Sequence, residues 1–139
     1  QRQMCIRDST YTHTKVNNFN FEGRENEKDL SLPGSPEHTA NASLYFEKKG
    51  FNVRLSYNYA SSFIDEMGEV TALDRYYDAV NYMDLNASYT FGKKIKTTFY
   101  ADATNLLNQP LRYYQGVKDR TMQSEHYGVK INAGVKVNF

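Results

Sequence analysis

The last thirteen residues constrain the fold more than any other stretch of this chain. From residue 127 to 139 the odd positions read Tyr127, Val129, Ile131, Ala133, Val135, Val137 and Phe139; the even positions read Gly128, Lys130, Asn132, Gly134, Lys136 and Asn138. Unbroken period-two alternation gives a strand one apolar face and one polar or small face. At ~3.3 Å per residue such a strand extends roughly 40 Å. Tilted by ~45°, it covers close to ~30 Å of height, enough for the ~25 Å apolar band of a membrane-spanning barrel. Strands of soluble domains more often run about 5–6 residues, so the length points to a membrane.

The same pattern recurs upstream. Phe51, Val53, Leu55, Tyr57, Tyr59 and Phe63 alternate with Asn52, Arg54, Ser56, Asn58 and Ser62. Residues 83–91, 95–104 and 40–47 alternate likewise, and a weaker strand is expected over residues 10–19, making six in all. The connections alternate in length. Glu47-Lys-Lys-Gly50 and Gly92-Lys-Lys94 read as tight hairpins, whereas residues 20–37, 64–76 and 116–124 read as long polar loops. Short turns at one rim and long loops at the other is the barrel arrangement, with the long loops extracellular. Phe46, Phe51, Tyr89, Phe91 and Phe139 then gather at the short-turn rim, and Tyr57, Tyr59, Phe63 and Tyr127 at the other. The predicted class is all-β, a transmembrane antiparallel β-barrel. Six strands leave open edges that lipid cannot satisfy, so further strands are expected in the native protein.

Composition agrees. Twelve Tyr and eight Phe with no Trp are a heavy aromatic load for a chain of mean hydropathy −0.74. No apolar run reaches the ~18 residues of a helical span, a length that barrel strands do not need. Seventeen basic against sixteen acidic side chains give no field favouring nucleic acid. Residues 1–9, which include the single Cys5, fit no pattern downstream and resemble translated adapter remnants. They are expected to be non-native, leaving residues 10–139 as the barrel stretch.

Three stretches resemble the C-terminal end of a TonB-dependent receptor. They are Asp84-Leu-Asn-Ala-Ser-Tyr-Thr-Phe91 before a short turn, Tyr100-Ala-Asp-Ala-Thr-Asn-Leu-Leu-Asn-Gln-Pro-Leu-Arg-Tyr113 with its Asn105-Leu106 element, and the terminal strand ending in Phe139. Residues 32–41 are also similar to a loop-to-strand approach of that family. The resemblance implies a barrel of about 22 strands around a plug, of which this chain supplies roughly the last six, the plug lying outside it. It further implies the outer membrane of a Gram-negative bacterium and import of an iron–siderophore, cobalamin or glycan with energy from TonB. The chain end resembles the signal read by the barrel-assembly machinery at Asn132, Gly134, Val137 and Phe139, although Val137 is aliphatic where an aromatic is common. The implied partners are lipid, that machinery, the TonB system through the plug region, and an imported ligand.

The remaining candidates read as structural. His13, His38 and His126 have no Cys or His at metal-ligand spacing. Asp65, Glu66, Glu69 and Asp74 lack the ligand alternation of a calcium loop and read as a solvated acidic loop. The sequons at Asn41 and Asn86 fall inside strands and suit a watery lumen better than glycosylation, while Lys48, Lys49, Lys93 and Lys94 read as solvated turn charges. No metal, cofactor or catalytic set is predicted. The competing readings are a passive porin or adhesin barrel, a soluble carbohydrate-binding β-sandwich and, more distantly, a barrel-embedded lipase.

Overall fold

The computed structural model describes residues 3–17, 20–27 and 30–139. Ten strands form among them: β1 (Met4–His13), β2 (His38–Lys48), β3 (Phe51–Ala60), β4 (Phe63–Glu66), β5 (Arg75–Tyr77), β6 (Val80–Phe91), β7 (Lys96–Thr104), β8 (Leu111–Gln115), β9 (Thr121–Glu125) and β10 (Lys130–Asn138). A single 3-10 turn lies at Thr71–Leu73. One sheet has six strands in the order β1-β2-β3-β6-β7-β10, and a second has four in the order β4-β5-β8-β9. All pairings are antiparallel. Among the described residues no helix is long and apolar enough to cross a membrane, which says nothing of crossing by strands.

Register turns the alternation of single strands into two continuous surfaces. Leu44, Leu55, Leu85, Ala103 and Ile131 lie side by side across five strands. Nearer the short turns, Phe51, Tyr89, Phe99 and Val135 form a parallel row. The opposite face carries Tyr45, Arg54, Asn86, Asp102 and Asn132 in one row. There several polar groups meet: Tyr45 Oη lies within hydrogen-bond distance of Glu47 and Asn52, and Asn86 Nδ2 donates to Asp102. A one-residue slip in any strand would exchange the faces, so this register is strongly specified.

Among the described residues nothing covers the apolar face. Leu44 is 46% exposed and Ile131 71%, and the buried hydrophobics among the described residues are Leu30, Ile64, Val80 and Tyr114. A soluble sandwich would enclose its apolar rows between two sheets. Here those rows are left for a surrounding phase to solvate.

The short turns gather at one end. In the β2–β3 hairpin Lys49 and Gly50 adopt φ of 52° and 81°, the two left-handed positions of a type I′ turn whose twist matches the strands. Gly50 is required twice over, because a Cβ there would stand 2.3 Å from the Thr90 carbonyl oxygen. Beside this rim Phe91 stacks on Phe99 at 5.7 Å and on Tyr89 at 5.9 Å.

Several boundaries depart from the sequence reading. The strand read as reaching Phe63 ends at Ala60, and Phe63 opens β4 in the second sheet. The terminal strand begins at Lys130, because Gly128 turns left-handed at φ 75° and its carbonyl accepts from Asn105 Nδ2. The first strand is Met4–His13 in place of residues 10–19, of which 18–19 lie outside the described residues. Its ladder closes with Thr14 N–H on the Glu37 carbonyl; next on that strand comes Pro36, which has no N–H to offer. The loops expected over residues 64–76 and 116–124 contribute to β4, β5 and β9, because their Tyr and Thr residues pair into the second sheet.

Candidate functional site

The end of the sheet opposite the short turns gathers three long connections into a cap. The turn at residues 71–74 is their meeting point. Arg24, 4% exposed, reaches it from the β1–β2 connection. Its Nη1 donates to Asp74 Oδ1 at 2.6 Å and to the Gly68 carbonyl at 3.4 Å. Its Nη2 donates to Glu27 at 2.5 Å and to Thr71 Oγ1 at 2.9 Å. Asp74 is fully buried and also accepts the Gly68 N–H at 2.8 Å. From the β8–β9 connection Gly116 N–H donates to the Asp74 carbonyl at 2.9 Å, and from the end of β8 Gln115 Nε2 donates to the Leu73 carbonyl. The Arg24 hydrogen bond holds the Glu27 carboxyl below its ordinary range, with help from Thr71. Arg24 Nε and Asp74 Oδ2 are buried without a hydrogen-bond partner among the described residues.

The acidic loop is therefore not simply solvated. Asp74 is enclosed with Arg24, while Asp65 and Glu66 both face Arg75 at 2.5 Å and 3.0 Å. Arginine supplies the countercharge that a calcium ion would have given. Sequence spacing could not reveal this, because Arg24 and Asp74 stand 50 residues apart.

Below the cap Asn105 ends β7. It sits at φ 56°, a conformation in which Asn is tolerated better than most residues. Its Nδ2 donates to the Gln109 and Gly128 carbonyls, its Oδ1 accepts the Gln109 N–H, and its own N–H donates to Asp84. Through side chain and backbone together, this one residue ties β6, β7 and the approach to β10. The Asn105-Leu106 pair noted in the sequence is a strand-ending hub.

The four positions resembling an assembly signal divide between the faces. Asn132 lies in the polar row and Val137 on the apolar face beside Thr97. Gly134 is paired with Tyr100, whose ring covers it so closely that a Cβ would stand 2.4 Å from the hydroxyl. Phe139 follows the last strand residue and is 99% exposed. The outer edge of β10 has no partner strand among the described residues.

Two histidines without ligand-spaced neighbours in sequence become neighbours in space. His13 pairs with His38 across β1 and β2, their Nδ1 atoms 3.1 Å apart. Ligand atoms of His13, Glu37 and His38 all lie within 4.8 Å of one another. His126 is not part of this group.

A family model described as TonB dependent receptor-like, beta-barrel, matches residues 7–106. The match begins within β1, takes in β2 to β7 and ends just past Asn105. Comparison with curated proteins and with solved structures gives no match.

Proposed function

Because the chain belongs to the TonB dependent receptor-like β-barrel family, we propose that it forms the closing strands of a receptor importing a bulky nutrient across the outer membrane. The family is one of outer-membrane receptors and transporters of Gram-negative bacteria. The observation that carries the reading is the uncovered apolar row from Leu44 to Ile131 backed by a polar row. A wall between lipid and a watery lumen needs both. The imported class is an iron–siderophore, cobalamin or glycan, and the cap around residues 71–74 contributes to the surface that meets it. The polar face offers a shallow groove lined by Asn41, Ser43, Arg54, Ser56 and Asn58, with residues 8–10 of β1 as its other wall.

Open sheet edges are not tolerated in hydrocarbon, so the barrel is completed by further strands, about 22 in all, around a plug that contacts TonB. In this reading Asn132, Gly134, Val137 and Phe139 are met by the barrel-assembly machinery along the free edge of β10. Residues 1–9 are read as foreign to the barrel; the family match begins at residue 7, and the residue types at positions 4, 6 and 7 support the reading. Register puts Arg7 beside Leu44 in the central apolar row, and Met4 and Ile6 on the polar face beside Glu47 and Tyr45. From residue 10 the residue types fit their faces, with Tyr11 on the apolar side and Thr10 and Thr12 on the polar side. Backbone pairing alone is indifferent to side chains, whereas an arginine at the lipid midplane costs ~2–4 kcal/mol.

The test is uptake by cells carrying the complete receptor as their only route for the ligand. Uptake is expected to stop when the proton gradient is collapsed or TonB is removed. Uptake that continues unchanged would identify a passive porin.

A further inference from the structure

We propose that His13, Glu37 and His38 form a binding site for a late first-row divalent cation, with zinc as the representative, at the root of the β1–β2 connection. The site rests on the β1–β2 register and stands apart from what the receptor imports.

Backbone hydrogen bonds set the three positions before any ion arrives. Thr14 N–H donates to the Glu37 carbonyl at 2.9 Å, which makes residues 14 and 37 a hydrogen-bonded pair and leaves His13 and His38 a non-hydrogen-bonded one. In that kind of pair the side chains approach most closely. His38 is further clamped by Ser61, which accepts its N–H through Oγ at 3.1 Å and donates its own N–H to the His38 carbonyl at 2.9 Å.

The spacing suits one ion. Two imidazole nitrogens bound to a tetrahedral zinc at ~2.0–2.1 Å stand about 3.3–3.4 Å from each other. The two Nδ1 atoms stand 3.1 Å apart, and the rings are stacked with centroids at 4.7 Å. The Tyr11 hydroxyl lies 2.8 Å from His38 Nδ1. An ion at His38 Nδ1 would take the place of this hydrogen bond, since the unprotonated nitrogen has a single lone pair to give. Two imidazoles with one carboxylate select zinc, copper or nickel over the oxygen-seeking magnesium and calcium. Three protein ligands leave a fourth position for water. By parity His13 and His38 share the side of Tyr11, at the end of the strand pair beside the long connection, where His13 and Glu37 are exposed and His38 is half-buried. The ion's effect would be to pin the two ends of the long connection together.

The experiment uses the complete receptor, purified in detergent and stripped with chelator, titrated with zinc chloride and counted by equilibrium dialysis. His13→Ala and His38→Ala are each expected to bind one zinc fewer per chain than the parent, and Glu37→Gln to weaken that site by about tenfold or more. His126→Ala is expected to match the parent, and excess magnesium not to compete. Heat-modifiable migration identifies variants that hold a folded barrel. In the unaltered receptor zinc is expected to slow amide exchange at residues 12–15 and 36–39, a readout that needs no variant. Folded His13→Ala and His38→Ala receptors that keep the parent's zinc count would overturn the site. So would zinc that leaves exchange at both segments unchanged.

Discussion

Asn105 shows how one side chain can fix where a membrane strand ends. Both its amide donors and its oxygen are used, and its backbone lies in the left-handed region. Alanine there would leave two carbonyls and one N–H short of a partner and place a less tolerant residue at φ 56°. Asn105→Ala is expected to destabilise by roughly 2–4 kcal/mol, read as a shift in urea unfolding of the receptor in liposomes. A loss within the ~0.5 kcal/mol of an ordinary surface change would deny it the hub role. The sequence flagged Asn105-Leu106 only as a resemblance; the reason for the asparagine needed the Gly128 carbonyl, 23 residues away. The histidine pair was hidden in the same way. Spacing rules see ligands close in sequence, and His13 and His38 meet only through register.

At the scale of elements, alternation made most of the six-stranded sheet legible. Residues such as Leu55, Leu85 and Ile131 were assigned to one face by parity, and register put them in one row. The second sheet was not legible, because its strands are as short as the three residues of Arg75–Tyr77, too short to show a period. The buried pair of Arg24 and Asp74 escaped too, since charged loop residues usually read as solvated. That pair is the cap's latch. Removing one partner leaves the other's charge buried without compensation, a loss of ~3–5 kcal/mol. Arg24→Ala is therefore expected to expose residues 67–74 to protease while the strands stay folded. An unchanged cleavage pattern would mean the latch holds nothing.

The terminal strand makes a different prediction. Its outer edge has no partner among the described residues, and Phe139 projects past it. Deleting Phe139 is expected to reduce the heat-modifiable barrel recovered in outer-membrane fractions far more than Asn138→Ala does. Equal recovery would remove the assembly role from the terminal aromatic.

On the scale of the whole molecule, the chain is a wall with two unlike faces. The apolar rows stand uncovered, the polar rows bond among themselves, and long connections lock into a cap at the end away from the short turns. Family membership and this two-faced wall agree, and the facing of adjacent residues in β10 tests it most directly. Ile131 shares the central row with Leu44, Leu55 and Leu85, and Asn132 lies on the other face beside Asp102. The measurement is the unfolding free energy of the complete receptor in liposomes for Ile131→Arg and Asn132→Arg. A lipid-facing Ile131 predicts a loss of ~2–4 kcal/mol for the first and far less for the second; equal losses, or the reverse order, would contradict a membrane wall with this facing.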